Sequence, residues 1–363
     1  MDLIDSYLYL WSRNMETKIL QFNGNEVCDL LLKGEVLAFP TETVYGLGAL
    51  ASRKESLDKL VSIKNRPADK PFTLMCSNIT QIVQYAEVDS KAINIMKSLM
   101  PGELTLLLKA RKGVPSWVDL GSGVIGVRIP DSQEVIDLID KVGEPLLVSS
   151  ANISGHDVCK NFDEVTECFN GKIAGIVKGE TRSNLPSTIV DLTGNNPKLI
   201  RQGSLSLEEI QKASQRGINI SLGSDHGGFK YKEEIKAHLE TIGVQVIDCG
   251  CYNESSCDYP DFAFLAASKV INHEADLGIL VCTSGEGISI AANKIKGIRC
   301  GLGYDDIATG KTREHNDANM IAFGQKYMSI EDVLRRVDIF ISENSSPLRK
   351  HKNRVKKIIE IEK

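Results

Sequence analysis

The sequence predicts an α/β protein with two domains, and three features of the 363-residue chain lead to this prediction. The length favours two domains, because a single domain usually holds about 150 residues. The first half mixes β-branched strands with helices in no fixed order. From residue 218 onward, apolar strands alternate with amphipathic helices, which is typical of a parallel sheet covered on both faces.

Composition and charge exclude several classes of protein. Hydrophobic residues make up 42% and charged residues 25%, as in globular rather than disordered chains. The net charge of -5 excludes a histone-like protein that covers nucleic acid with a generally cationic surface, but it does not exclude local basic pockets. Charges interrupt every apolar run, so we expect no membrane span or signal peptide, and a cytoplasmic location. Nine cysteines without a CxxC pair predict reduced thiols, not a disulfide framework or a zinc site.

The elements follow from these patterns in chain order. Residues 1–18 are predicted to be an N-terminal tail, and either Met1 or Met15 is the start. A first domain at 19–203 has strands at 35–39, 104–109, 124–129, 146–148, 173–177 and 188–191, and helices at 53–64 and 132–141. A helical linker at 204–217 starts with a capping box of Ser206 and Glu209. The second domain, at 218–363, has strands at 218–222, 244–248, 277–282, 298–302 and 320–323, and helices at 230–242, 261–273 and 287–296.

Three motifs of the first domain combine hydroxyls, glycines and cations. They are FPTETVYGLG at 39–48, KNRPADK at 64–70 and SSANISG at 149–155. Arginine forks and lysine ammonium groups neutralise polyphosphate, and hydroxyls at strand ends supply neutral donors. No Walker loop is present, and the GSGVIG run at 121–126 precedes a strand rather than a helix, so it is not a dinucleotide-binding fingerprint.

With PGELT, VRIP, STIVD and IRQG in the same order, these motifs resemble the YrdC-like family of threonylcarbamoyl-AMP synthases. The resemblance implies a twisted open α/β sheet with a cationic cavity. It implies that L-threonine, bicarbonate and ATP, with Mg²⁺, give threonylcarbamoyl-AMP for tRNA modification, in which partner proteins and RNA binding are possible. The implied nucleotide-binding residues are Lys64, Arg66, Lys70, Ser150, Asn152 and Arg201, and the implied threonine-binding residues are Thr43, Arg128 and Ser187. The alternative is a noncatalytic nucleotide- or RNA-binding module.

A second candidate site surrounds Cys282, which ends an apolar strand directly before a glycine-rich turn and a helix start. A helix N-terminus lowers the pKa of a thiol and offers backbone amides to an oxyanion. Ligands of parallel sheets bind at the carboxyl ends of the strands. We therefore expect Cys282 to share that edge with four further residues: Asp225, His226, Ser284 and His315.

The motifs GSDHGGF, DYP, GISIAANK and EHNDAN resemble the RpiB/LacAB family of sugar-phosphate isomerases. The resemblance implies a Rossmann-like parallel α/β sandwich, a metal-free reaction between ribose 5-phosphate and ribulose 5-phosphate, and a homo-oligomer. Cys282 would be the base, Ser284 and His315 would open the sugar ring, and Gly285, Gly287 and Asn316 would stabilise the enediolate. Asp225 would bind sugar hydroxyls, and His226, Lys350 and Arg354 would bind the phosphate. A six-carbon substrate, galactose or allose 6-phosphate, is the alternative.

Overall fold

The computed structural model describes residues 16–67, 70–183, 185–215 and 217–362. The predicted tail lies mostly outside these residues. The chain forms two compact units, one of residues up to 87 together with 99–211, the other of 88–98 together with residues from 212 onward. The sequence placed the segment 88–98 in the first domain, whereas its contacts group it with the second unit.

The first unit is built around a ten-stranded sheet with the strand order β1-β8-β2-β3-β7-β4-β6-β5-β9-β10. Its strands pair in both directions, as expected for a mixed α/β sheet. The elements up to residue 201 are β1 (Lys18–Leu20), α1 (Asn25–Leu32), β2 (Leu37–Pro40), β3 (Tyr45–Leu50), α2 (Lys54–Lys64), β4 (Thr73–Met75), α3 (Ile79–Tyr85), α4 (Ser90–Leu99), β5 (Leu104–Lys109), α5 (Ser116–Asp119), β6 (Val124–Arg128), α6 (Gln133–Val142), β7 (Leu146–Ser150), α7 (Phe162–Phe169), β8 (Gly175–Val177), β9 (Thr188–Asp191) and β10 (Lys198–Arg201).

The second unit contains a five-stranded sheet with the order β12-β11-β13-β15-β14, and every pair is parallel. This confirms the predicted alternation of strands and helices. The elements from residue 207 are α8 (Leu207–Ser214), β11 (Asn219–Ser224), α9 (Phe229–Thr241), β12 (Gln245–Asp248), α10 (Tyr259–Ile271), β13 (Leu277–Cys282), α11 (Glu286–Ala292), β14 (Cys300–Leu302), α12 (Asp306–Asn316), β15 (Met320–Gly324), α13 (Ile330–Ser342) and α14 (Arg349–Ile361).

Local sequence accounts for where these elements begin and how they pack. The predicted capping box is present before α8, where the Ser206 hydroxyl accepts from the Glu209 amide at 3.2 Å and the Glu209 carboxylate accepts from the Ser206 amide at 2.8 Å. β13 is buried along its whole length, which explains its unbroken apolar run. No helix among the described residues is long and apolar enough to cross a membrane.

Gly228, just before α9, is packed against the backbone of β13. A Cβ atom there would lie 2.9 Å from the Cys282 nitrogen and closer still to the Val281 carbonyl oxygen. Backbone atoms cannot move aside cheaply, so we expect Gly228→Ala to lower the free energy of unfolding by about 1–3 kcal/mol. Chemical denaturation measures this change. Gly217→Ala, where no atom lies within 4 Å of the added Cβ, is the control; equal losses in both variants would contradict the close packing.

Candidate active sites

A cavity of about 420 Å³ opens in the first unit, and every predicted residue of that unit except Lys64 lines it. The structure thus brings together side chains that lie up to 158 positions apart in the sequence, from Thr43 to Arg201. The predicted residues that line the cavity are Thr43, Arg66, Lys70, Arg128, Ser150, Asn152, Ser187 and Arg201.

Lys64 lies behind the cavity wall and connects the end of α2 to the end of β7. It is 1% exposed. Its ammonium donates to the Ser150 carbonyl, to the Asn152 carbonyl at 2.7 Å and to Asn152 Oδ1 at 3.1 Å. Burial, together with the nearby charge of Arg66, lowers the pKa of Lys64 to about 7. Lys64 therefore fixes the SSAN turn rather than facing the cavity.

Arg66 presents a guanidinium group that carbonyl oxygens hold in place. Its Nε donates to the Lys70 carbonyl at 2.9 Å and its Nη2 to the Pro71 carbonyl at 2.6 Å. The guanidinium also stacks over the Phe72 ring at 4.4 Å. Burial lowers the pKa of Arg66. Since its partners are neutral, Arg66 keeps its charge available to an anion.

Arg128 ends β6 and is the most enclosed cation of the cavity wall. Its Nη2 donates to Glu42 Oε1 at 2.6 Å and to Thr43 Oγ1 at 3.0 Å. The side chains of Arg128 and Glu42 are 7% and 3% exposed. Sequence reasoning found Thr43 and Arg128 but assigned nothing to Glu42, because the ion pair joins residues 86 positions apart.

Arg201 and Ser187 form a further contact at the cavity. Arg201 donates to the Ser187 carbonyl from Nε at 3.1 Å and from Nη2 at 2.8 Å. The Ser187 hydroxyl lies 2.8 Å from that of Thr105, a lining residue that was not predicted. Thr105 stands in the PGELT motif, so the motif itself could have indicated it. Burial and the charge of Arg128 lower the pKa of Arg201.

The cavity suits anions with several charges. Its described lining residues include arginines, a lysine and hydroxyls but neither Asp nor Glu. Mg²⁺ prefers carboxylate oxygens together with phosphates. The lining therefore does not fit a resident Mg²⁺ ion, and no cluster of three metal-ligating side chains occurs anywhere in the described ranges.

In the second unit, Cys282 stands at the carboxyl end of β13. It is 4% exposed, and its sulfur accepts a hydrogen bond from the Gly285 amide at 3.1 Å. Ser284 lies in the same turn, where its hydroxyl accepts from the Glu286 amide at 3.3 Å. Gly287 follows, and a Cβ atom there would meet the Tyr259 ring at 2.9 Å.

The turn after β11 lies directly beside this sulfur-bearing turn, because Gly228 is packed on the Cys282 backbone. Asp225 is 6% exposed and accepts from the Gly228 amide at 3.1 Å. Burial raises the pKa of Asp225. His226 Nδ1 lies 3.2 Å from the Cys257 nitrogen. The structure thus brings Asp225 and His226 to the same sheet edge as Cys282.

The prediction that His315 shares this edge is wrong. His315 and Asn316 are the last residues of α12, which runs back from the end of β14. Arg299, one residue before β14, donates to the Asn316 carbonyl at 3.1 Å and accepts from the Asn319 amide. His315 therefore lies at the amino edge of the sheet, opposite Cys282. The EHND motif lies at the end of a helix and does not follow a strand.

At that amino edge, His315 belongs to a second group of predicted residues. Its ring stacks on the ring of His351 in α14, with centroids 4.1 Å apart and planes 12° apart. Lys350 and Arg354 are exposed on the same helix. Burial, together with the charges of His351 and nearby lysines and against that of Glu314, lowers the pKa of His315. His351 was not predicted, although it stands between the two predicted cations.

Known proteins resemble both units. Residues 29–203 match a family profile described as "Telomere recombination", covering Sua5, YciO and YrdC, and residues 220–358 match one described as "Ribose/Galactose Isomerase". Ribose-5-phosphate isomerase B of Mycolicibacterium paratuberculosis is 38% identical over 147 residues, which are 40% of this chain and 92% of that protein. The chain joins a Sua5/YrdC-type domain to a ribose/galactose isomerase domain.

The threonylcarbamoyl-AMP synthases that the Sua5/YrdC-type domain matches extend beyond the match. A threonylcarbamoyl-AMP synthase of Pyrococcus abyssi is 37% identical over 201 residues, which are 55% of this chain. This chain spans only 59% of that synthase. The solved structure of a double variant of Pyrococcus abyssi Sua5 superposes with a TM-score of 0.51 at 28% identity, covering 74% of this chain and 90% of that one.

Replacing Lys64, which lies behind the cavity of the Sua5/YrdC-type domain, tests the structural role of this lysine. In Lys64→Met, the carbonyl oxygens of Ser150 and Asn152 lose their buried donor, so we expect the free energy of unfolding to fall by about 3 kcal/mol. Chemical denaturation measures it. Lys54→Met, which changes an exposed lysine of the same helix, should leave stability nearly unchanged. Equal stability of the Lys64→Met variant and the parent chain would contradict the structural role.

Proposed function

We propose that the chain is a bifunctional enzyme. The Sua5/YrdC-type domain forms threonylcarbamoyl-AMP from L-threonine, bicarbonate and ATP for tRNA modification. The isomerase domain interconverts ribose 5-phosphate and ribulose 5-phosphate. The observation that carries the first activity is the single cavity that gathers Arg66, Arg128 and Arg201 with hydroxyl groups. The proximity of Asp225 and His226 to the Cys282 turn carries the second.

In the first reaction the protein positions charged reactants rather than attacking them. Arg128, Thr43 and Ser187 hold threonine by its carboxylate and hydroxyl. Its amine attacks carbon dioxide with release of a proton, or bicarbonate with release of water, and either route gives the carbamate. The carbamate oxygen then attacks the α-phosphorus of ATP, and pyrophosphate leaves. The phosphates are bound by three cations and one hydroxyl group, which belong to Arg66, Lys70, Arg201 and Ser150. Lys64 and Asn152 keep the turn that carries Ser150 in place.

A noncatalytic nucleotide- or RNA-binding module is the alternative for this domain. The enclosed set of Thr43, Arg128 and Glu42 favours the synthase. Phosphates of a nucleotide or of an RNA backbone are best bound by cations whose charge is not offset, whereas Arg128 is buried beside a carboxylate. Mg²⁺ would accompany ATP as its counterion, since the cavity offers no carboxylate ligand.

The assay for the synthase is pyrophosphate release by the purified full chain. We expect release from ATP only when both L-threonine and bicarbonate are present. Arg66→Ala should lower kcat/KM for ATP by about 100-fold, because it removes a desolvated phosphate donor. Arg182→Ala, which changes an exposed arginine outside the cavity lining, is the matched control. Release that does not depend on threonine would reject the synthase.

In the second reaction the Cys282 thiolate takes the proton from C2 of the sugar and returns it to C1. The Gly285 amide, which donates to the Cys282 sulfur, stabilises the enediolate together with the Gly287 amide and Asn316. Ser284 and His315 open the furanose ring and Asp225 binds sugar hydroxyls. The phosphate is bound by His226, Lys350 and Arg354. No step requires a metal ion.

These roles require a second copy of the chain. Within one chain, His315 and Asn316 lie at the amino edge of the sheet and Cys282 at the carboxyl edge. A symmetric dimer could place the His315 of one copy beside the Cys282 of the other. We therefore propose a homo-oligomer in which each isomerase site combines two chains.

Mixing inactive variants tests this shared site. Cys282→Ala and His315→Ala should each abolish isomerisation and leave adenylate formation intact. After subunit exchange, an equal mixture should regain about a quarter of the parent isomerase activity, because half of randomly formed dimers carry one intact site. Mixing Cys282→Ala with Asp225→Ala should restore nothing, since one chain supplies both residues. Absence of recovery in the first mixture, with exchange demonstrated, would reject the shared site.

A six-carbon phosphate is the alternative substrate of the isomerase domain. Comparing kcat/KM for ribose 5-phosphate with allose 6-phosphate and galactose 6-phosphate distinguishes the two.

A further inference from the structure

Glu42 is a buried carboxylate beside the cavity of the first unit, and no role was predicted for it. Its side chain is 3% exposed, and it is absent from the described residues that line the cavity. Its Oε1 accepts from Arg128 Nη2 at 2.6 Å. Arg128, in contrast, does line the cavity. Glu42 therefore contacts the ligand-facing arginine from behind.

The contact between the two side chains is one-sided. Arginine and carboxylate usually pair through two parallel hydrogen bonds. Here Glu42 Oε2 and Arg128 Nε are both buried and find no partner in the described part of the chain. Nη2 also donates to Thr43 Oγ1 at 3.0 Å, so it serves two acceptors at once. The guanidinium is thus oriented jointly by Glu42 and Thr43 and not by the best geometry of the ion pair.

The charges around Arg128 indicate why Glu42 lies behind its guanidinium group. Arg128 and Arg201 both line the cavity, and the charge of Arg128 contributes to the lowered pKa of Arg201, so the two guanidinium groups lie near each other. Glu42 offsets one of these two charges. A buried arginine with no anion nearby would be costly in the empty site. Glu42 thus balances Arg128, and the charge of Arg201 stays available for the ATP phosphates, so the Arg128 guanidinium suits a ligand group that carries a single negative charge.

We propose that Glu42 is a positioning residue that holds the Arg128 guanidinium where it receives the carboxylate of the amino-acid substrate. This inference rests on the proposed synthase function. Glu42 does not touch the substrate and acts only through Arg128. Its loss should therefore weaken the use of threonine and spare the use of ATP, whose phosphates contact other cations.

The experiment measures pyrophosphate release by the full chain while threonine and ATP are varied separately. We expect Glu42→Ala to raise the KM for L-threonine at least about tenfold, because the guanidinium loses its buried partner, with the KM for ATP changed less than about twofold. Glu42→Gln should stay within about threefold of the parent KM for threonine, since its amide oxygen can still accept from Nη2. This rescue separates positioning from charge alone.

Glu35→Ala is the matched control. Glu35 also pairs with one cation, Lys59 at 3.0 Å, and also has a buried oxygen without a described partner, but it does not line or back the cavity. The Glu35→Ala variant should keep the KM of the parent chain for threonine. Equal effects of Glu42→Ala on threonine and ATP, or no effect in a folded variant, would overturn the inference. If Glu42→Ala fails to fold, a Glu42→Gln variant with a threonine KM raised tenfold would overturn it. A parent chain without threonine-dependent release would instead reject the synthase, and the inference with it.

Discussion

The cavity of the first unit depends on the contacts of one buried ammonium group. Lys64 donates to three carbonyl oxygens of Ser150 and Asn152, so the end of α2 is fastened to the turn after β7. None of these acceptors carries a charge, and burial lowers the pKa of Lys64 to about 7. Burying the Lys64 ammonium group costs free energy, but its contacts set the distance between the KNRP and SSAN motifs. Both motifs then face the same space.

The second unit depends on a different constraint, the direction of a helix that follows a parallel strand. A strand ends at the carboxyl edge of the sheet, and the next helix must run back toward the amino edge. Residues just after β11 and β13 therefore meet, as Gly228 and Cys282 do. Residues at the end of α12 cannot join them within the same chain. The proposed oligomer follows from this topology together with the roles proposed for His315 and Asn316 at the Cys282 site.

Periodicity and motif order predicted the two α/β units and most strands to within a few residues. The residues that gather at the first cavity were implied by the resemblance of the motifs to the YrdC-like family, and the residues that line the cavity include that whole set except for Lys64. Glu42 was missed because its contact with Arg128 joins residues 86 positions apart, and such pairing is set by strand register and not by local sequence. His315 was assigned to the wrong edge because its motif was expected to follow a strand. The motif instead lies at the end of α12, which runs back to the opposite edge.

The partners of the cavity arginines explain how one cavity could bind two dissimilar anions. Arg66 is held by neutral carbonyl oxygens, so its charge is not offset, as a polyphosphate requires. Arg128 is held by the carboxylate of Glu42, so most of its charge is already balanced. Under the proposed function, a polyphosphate is thus favoured beside Arg66, and a singly charged carboxylate beside Arg128. The discrimination arises from what lies behind each guanidinium, which the cavity surface alone does not show.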